Sequence, residues 1–144
     1  MKKLRLYLDT SVIGGCLDKE FDVDSLKLLQ EMQQGEHIAI VSSVTVAEVI
    51  QAPPKVQDIL TQILGLPLSE LISLPNEAND LAELYLKAKI VTKKYQEDAL
   101  HIAIATVSKA DILLSWNFKH IVNVRKIMLF NSVNLSQGYP LLDI

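Results

Sequence analysis

The chain has 144 residues, enough for one domain that buries about two thirds of its unfolded surface on folding. It carries 14 Lys and Arg against 17 Asp and Glu, and a net charge of −3 gives no general attraction to nucleic acid, so any contact with a polyanion must come from a local patch or a metal. With one cysteine and no N-terminal apolar run long enough for a signal peptide or a membrane span, we expect a cytoplasmic protein without an internal disulfide.

The first predicted element is a buried strand over Leu4–Leu8, a run of large apolar residues that is too short for a buried helix. The strand stops at Asp9, and two hydroxyl residues, Thr10 and Ser11, follow directly. A carboxylate at the end of a strand lies at the carboxyl edge of the sheet, where open α/β folds bind ligands. The simpler alternative is that Asp9 caps the next helix.

Strands and helices alternate through the middle of the chain. The run at residues 38–41 predicts a second buried strand. The helix predicted at residues 44–52 contains Glu48 between apolar neighbours, so this carboxylate either lies on a solvent-facing strip or points into a polar site. The remaining elements of this region are a helix at 24–34, a helix at 54–64, a strand at 71–74 and a helix from Asn76 onward.

A helix buried nearly all round is predicted over residues 96–107, because its charges lie only at its start. Asp98 in its first turn either complements the helix dipole or contributes to a site. His101, one turn later, is expected to be a packed or hydrogen-bonded core residue. Two more strands are predicted at 111–115 and at 127–130.

Three carboxylates that are far apart in the sequence, Asp9, Glu48 and Asp98, fall where a doubly wound sheet can bring them into one crevice. Converging carboxylates repel one another unless a cation offsets their charge. A site made of oxygen ligands without cysteine suits Mg²⁺ or Mn²⁺. The sequence therefore predicts a divalent metal site.

Four segments spread over most of the chain carry a resemblance: Leu8-Asp9-Thr10-Ser11, Val44-Thr45-Val46-Ala47-Glu48-Val49, Asp98-Ala99-Leu100-His101-Ile102-Ala103 and Ile112-Leu113-Leu114-Ser115-Trp116-Asn117. In this order they resemble the PIN-domain ribonucleases, the family that includes the VapC toxins of toxin–antitoxin pairs. The resemblance implies a single three-layer α/β/α domain over residues 1–144, with a five-stranded parallel sheet in the order 3-2-1-4-5. It also implies Mg²⁺- or Mn²⁺-dependent cleavage of RNA phosphodiester bonds, and we expect an antitoxin partner and a homodimer.

Carried over by position, the resemblance implies that Asp9 and Asp98 bind the metal directly and that Glu48 binds it or orients water. Asn117 stands where the family commonly has Asp, so we expect weak activity. Its structural alternative is to cap a short helix at residues 118–122. Supporting polar residues are expected to be Thr10, Ser11 and Ser115, and candidate contacts to RNA phosphates are Lys93, Lys94, Lys119 and Arg125.

Two other classes of function stay open at this point. One is a PIN-like module that has lost catalysis through Asn117 and only binds RNA or a protein partner. The other is a phosphotransferase with Asp9 as its nucleophile. The second is disfavoured because Asp9 is not followed by an Asp two residues on, as in haloacid-dehalogenase-like phosphatases, and because no glycine-rich phosphate loop follows the first strand.

Overall fold

A parallel sheet lies at the centre of the structure, a computed structural model that describes residues 2–144. Within these residues the sheet has four strands in the order β3-β2-β1-β4. The strands are β1 (Leu4–Leu8), β2 (His37–Ser42), β3 (Ser69–Ile72) and β4 (Ile112–Leu114). The helices are α1 (Thr10–Gly15), α2 (Asp22–Gln33), α3 (Ser43–Ile50), α4 (Pro54–Leu64), α5 (Asn76–Lys87), α6 (Gln96–Val107) and α7 (Val124–Ser136), with a 3-10 turn at Lys93–Tyr95.

Two hydrophobic cores form on the two faces of the sheet, because successive side chains of a strand point in opposite directions. Leu6 and Leu8 of β1 pack into the core covered by α1 to α4. Tyr7 packs into the core covered by α5, α6 and α7. Helix α6 packs into the second core beyond its exposed first turn, and its seven buried residues confirm the prediction of a helix buried nearly all round. No helix in the part of the chain from residue 2 onward has the length and hydropathy needed to cross a membrane.

The central strands bring their carboxyl ends to one edge of the sheet. Leu8 at the end of β1 lies beside Leu114 at the end of β4. The backbone N–H of Asp9 also donates to the carbonyl of Leu114, at 3.3 Å. Ser42 ends β2 on the other side of β1 and caps α3, since its hydroxyl accepts from the N–H of Thr45. The residues that follow β1, β2 and β4 therefore meet at this edge.

The predicted order 3-2-1-4 of the first four strands is confirmed, whereas the predicted fifth strand is wrong. Residues 127–130 lie inside α7, where Phe130 is buried while Met128 and Leu129 are exposed. A run of four apolar residues fits a strand and a helix equally well, whereas the side chain of Asn123, which accepts from the N–H of Lys126, marks the start of a helix.

The C-terminal tail occupies the place next to β4 where a fifth strand was expected. It does so with one parallel bridge, between Ile112 and Asp143, and the N–H of Leu113 donates to the carbonyl of Asp143 at 2.9 Å. The outer edge of β4 is thus covered over one position rather than over a whole strand.

Gly15, the last residue of α1, allows a close approach of the loop after β4. A Cβ atom added at Gly15 would lie 2.7 Å from the hydroxyl of Ser25 and 2.9 Å from the indole of Trp116. That indole donates from Nε1 to Ser25, at 2.9 Å, and stacks on Phe21 with 4.5 Å between the ring centres. A side chain at position 15 would therefore displace the loop that carries Ser115 and Asn117.

Candidate functional site

Asp9 lies at the carboxyl edge of the sheet and is only 3% exposed. Its Oδ1 accepts from the N–H of Val12 at 3.2 Å, and this bond caps α1. The hydroxyl of Ser11 donates to the same oxygen at 2.7 Å, while the hydroxyl of Ser115 donates to Oδ2 at 2.6 Å. The capping role is thus present, and it leaves Oδ2 with one free acceptor position.

The two serines also connect the loops after β1 and β4. The hydroxyl of Ser11 accepts from the N–H of Trp116 at 2.8 Å, and the hydroxyl of Ser115 accepts from the N–H of Asn117 at 2.9 Å. Each serine donates to Asp9 and accepts from the backbone, so its proton has a defined direction. Thr10 is placed differently, because its buried hydroxyl oxygen has no hydrogen-bond partner.

Glu48 projects from α3 toward His101 of α6. The Nε2 atom of His101 lies 2.6 Å from Oε1 of Glu48. The His101 side chain is 3% exposed and that of Glu48 is 35% exposed, so the carboxylate reaches from the core to the surface. The sequence placed His101 in the core, and the structure adds its contact with Glu48.

Asp98, in the first turn of α6, lies within the electric field of the other two carboxylates. Burial raises the pKa of Asp98, and the negative charges of Asp9 and Glu48 raise it further. The ring of His101 and donation from the amide of Asn117 lower the pKa of Asp98 in part. The effects of Asp9, Glu48 and Asn117 on Asp98 indicate that these residues lie near one another.

Asn117 begins the turn that follows β4. Its Oδ1 accepts from the N–H of His120 at 3.0 Å, which is the bond expected of a cap, although residues 118–122 form a turn and not a helix. Because Oδ1 is used in this way, the amide nitrogen is the atom that Asn117 presents to Asp98.

The predicted phosphate contacts fall into separate places. Lys94 and Lys119 converge on the ring of Tyr95, with their Nζ atoms 5.6 Å and 5.9 Å from its centre. Tyr95 directly precedes α6 and stacks on His120 with 3.9 Å between ring centres. Lys93 instead lines a groove beside the end of α5, and Arg125 lies in the first turn of α7.

The side chains of Asp9, Glu48 and Asp98 offer a set of donors that fits a hard divalent cation. All their ligand atoms are oxygens, and in residues 2–144 none of the three forms an ion pair with Lys or Arg. Burial and the charges of Asp9 and Glu48 raise the pKa of Asp98, and a cation bound at this site would oppose that rise.

The carboxylates do not, however, form a closed ligand cluster in this structure. Among residues 2–144, the one group that brings three ligand atoms within 4.8 Å of one another is Glu31, Glu36 and His37. That group lies at the start of β2, at the opposite edge of the sheet. This group was not among the residues predicted from the sequence.

Comparison with solved structures shows what this architecture is similar to. VapC20 of Mycobacterium tuberculosis, described as a sarcin-ricin loop cleaving toxin, matches with a TM-score of 0.63 and 9% identity over 80% of this chain and 92% of that chain. VapBC2 from Rickettsia felis, solved bound to a DNA fragment from its promoter, matches with a TM-score of 0.55 and 20% identity over 82% of this chain and 93% of that chain. No family model and no curated protein matches the sequence.

Proposed function

We propose that this chain, which has a PIN- and VapC-like α/β fold, is a divalent-metal-dependent endoribonuclease. We also propose that it is the toxin of a type II toxin–antitoxin pair. A fold alone hosts many functions, so the site must carry the proposal. The observation that carries it is the set of three carboxylates, Asp9, Glu48 and Asp98, which come from three different elements and have no Lys or Arg partner among residues 2–144.

In this proposal Asp9 and Asp98 hold Mg²⁺ or Mn²⁺, and Glu48 holds the ion or orients water. When bound, such an ion supplies a water of lowered pKa and offsets negative charge that develops on the phosphoryl oxygens. The hydroxyls of Ser11 and Ser115 fix the orientation of Asp9, because they donate to its two different oxygens. Glu48 keeps Oε2 free of protein donors among the described residues, since His101 contacts Oε1.

RNA is the proposed substrate, and Lys94 and Lys119 are the best supported phosphate contacts. Both converge on Tyr95, which lies three residues before Asp98, and Lys119 lies two residues after Asn117. The exposed ammonium groups thus compensate locally for a net charge of −3. Contacts from Lys93 and Arg125 stay predictions without this support.

The decisive experiment is cleavage of single-stranded RNA with Mg²⁺ or Mn²⁺ and with EDTA. Asp98→Asn should abolish metal-dependent cleavage, because it removes a charge from the site while keeping its shape. Asp58→Asn is the matched control, since Asp58 is exposed on α4 and the same change there should leave cleavage intact. Cleavage that persists in EDTA, or that survives Asp98→Asn, would overturn the proposal.

A non-cleaving module that binds RNA or protein is the second candidate. The observation that favours it is Asn117, which uses its carbonyl oxygen for the turn and so adds neither charge nor an oxygen to the site. RNA that binds with metal present but stays intact on prolonged incubation would select this candidate.

The antitoxin partner is proposed from the likeness to VapBC2, and the homodimer and the cytoplasmic location stay predictions. A growth assay tests the toxin role. Expression of the chain should arrest growth, and co-expression of the product of a small neighbouring reading frame should relieve the arrest. Arrest that persists with Asp98→Asn would show that toxicity does not come from this site.

A further inference from the structure

A chain of buried hydrogen bonds lies behind Glu48. The hydroxyl of Tyr7 lies 2.7 Å from the hydroxyl of Ser42 and 2.7 Å from Nδ1 of His101. The Nε2 atom of the same ring lies 2.6 Å from Oε1 of Glu48. Tyr7 and Ser42 are fully buried and His101 is 2% exposed. These hydrogen bonds therefore link β2, β1 and α6 to Glu48, the one carboxylate that α3 contributes.

Glu48, the last residue of this hydrogen-bonded series, determines which atom donates in each bond. When the ring of His101 is neutral, the carboxylate of Glu48, which only accepts, requires the proton of His101 on Nε2 and leaves Nδ1 as an acceptor. Tyr7 then donates to Nδ1, and burial supports this because it raises the pKa of Tyr7 and keeps the phenol protonated. The oxygen of Tyr7 accepts in turn from Ser42, whose own oxygen accepts from the N–H of Thr45. Every polar atom has a partner in this one arrangement.

The arrangement fixes the side chain of Glu48, which is otherwise 35% exposed. A glutamate at a surface samples several rotamers, and ordering it to bind a ligand costs conformational entropy. The contact with His101 orders Glu48 before a ligand arrives, holding Oε1 and leaving Oε2 without a protein donor among residues 2–144. His101 is in turn held by Tyr7, so its ring cannot rotate without breaking two hydrogen bonds.

We propose that Tyr7 and His101 are positioning residues that preorganise Glu48 and thereby raise the affinity of the site for Mg²⁺ or Mn²⁺. The inference rests on the proposed function, because it requires Glu48 to belong to a metal site. Partners of metal-ligating side chains act in this way by fixing the orientation of the ligand.

The test is Mn²⁺ binding to the full chain, measured by calorimetry. Tyr7→Phe removes only the phenolic oxygen and should weaken Mn²⁺ affinity by about 10-fold, the lower end for such partners. Tyr85→Phe is the matched control, because Tyr85 is equally buried in the same core and donates to Asn134 instead. It should lower stability similarly and leave Mn²⁺ affinity unchanged.

A double-variant comparison shows whether Tyr7 acts through Glu48. In a chain that carries Glu48→Ala, adding Tyr7→Phe should change Mn²⁺ affinity less than about 2-fold, since the residue being positioned is gone. Nitrogen NMR of metal-free protein gives an independent readout. His101 should be the Nε2–H tautomer in the wild type and in Tyr7→Phe, because Glu48 accepts from Nε2 in both, and should lose this preference in Glu48→Ala.

Three outcomes overturn the inference. Tyr7→Phe and Tyr85→Phe could change Mn²⁺ affinity equally, Tyr7→Phe could leave it unchanged, or its effect could persist undiminished with Glu48→Ala. Asp98→Asn separates these results from failure of the proposed function. If Asp98→Asn binds Mn²⁺ as the wild type does, or if the wild type binds none, the metal site itself is refuted. If Asp98→Asn loses Mn²⁺ binding while Tyr7→Phe binds Mn²⁺ as tightly as the wild type does, only the positioning role fails.

Discussion

Asp9 and Asp98 are both candidate metal ligands, yet the protein holds them in opposite ways. Asp9 accepts hydrogen bonds from three donors, two hydroxyls and one backbone N–H. Asp98 is half-buried near other carboxylates, and its pKa is raised. Removing the charge should therefore have opposite effects on the stability of the metal-free protein at the two positions.

We predict that Asp98→Asn raises the melting temperature in EDTA near neutral pH. The pKa of Asp98 is higher in the native protein than in the unfolded chain. Ionisation of Asp98 therefore lowers the free energy of unfolding, increasingly as pH rises from the unfolded pKa, about 3.9, through the native pKa. The stabilisation by Asp98→Asn should be present above the native pKa and absent below about pH 3.9. Thermal denaturation at both pH values measures it.

Asp9→Ala serves as the opposing comparison, and it should lower the free energy of unfolding by about 1 kcal/mol through loss of the cap of α1 alone. If Asp98→Asn destabilises the protein at neutral pH instead, then Asp98 has a structural partner that the described contacts do not contain.

We predict that Asn117→Asp tightens Mn²⁺ binding. An Asp at position 117 can still accept from the N–H of His120, so the turn is kept. The substitution replaces an amide that donates to Asp98 with a carboxylate, which adds negative charge to the site. Calorimetry should give a lower dissociation constant for the variant. Equal constants for the two proteins would place residue 117 outside the reach of the metal.

Much of the site could be predicted from the sequence because its residues directly follow strands or begin a buried helix. Asp9, Ser115 and Asn117 lie just past β1 and β4, where polar residues interrupt apolar runs. The role of Tyr7 could not be predicted, since an aromatic residue inside a strand fits a core without any polar contact. Its partner His101 is 94 residues away, and only the packing of α6 against β1 brings the two together.

At the scale of elements, β1, β2 and α4 follow from local pattern, whereas the C-terminal region does not. Residues 54–64 begin with Pro54 and end before Gly65, and these signals predicted α4 with its observed bounds. In α7 the apolar residues also form an exposed face, with Val124 and Met128 largely accessible, which weakens the helical pattern of burial. The sequence pattern of residues 127–130 fits a strand and a helix alike, and the packing of Phe130 in the core favours the helix.

The 3-10 turn before α6, together with the turn after β4, carries the prediction for RNA. Lys94→Ala and Lys119→Ala should each weaken binding of single-stranded RNA and lower the slope of log affinity against log salt by about 1, because each removes one phosphate contact. Fluorescence anisotropy in EDTA measures this without cleavage. Lys55→Ala, at an exposed position of α4, is the charge-matched control. Identical slopes for all variants would remove these two lysines from the RNA interface.

For the whole molecule, the metal should act as a stabilising ligand. A cation that binds only the native state raises the free energy of unfolding by about 2.7 kcal/mol at 100 times its dissociation constant. We therefore expect Mn²⁺ to raise the melting temperature in a concentration-dependent way, with the effect lost in Asp98→Asn. Glu36→Gln is an informative control, because it alters the Glu31, Glu36 and His37 group. A shift that depends on Glu36 rather than on Asp98 would assign the ion to the opposite edge of the sheet.

The packing of Trp116 against Gly15 gives the molecule an internal optical probe. Trp116 is the sole tryptophan of the chain, and its backbone lies between Ser115 and Asn117 while its indole is fixed by Ser25 and Phe21. Its backbone N–H donates to Ser11, which donates to Asp9, so a movement of that carboxylate is transmitted to the fluorophore through two hydrogen bonds. We therefore expect the intrinsic fluorescence of Trp116 to report ligand binding at Asp9 in the unmodified protein, without a dye or a label.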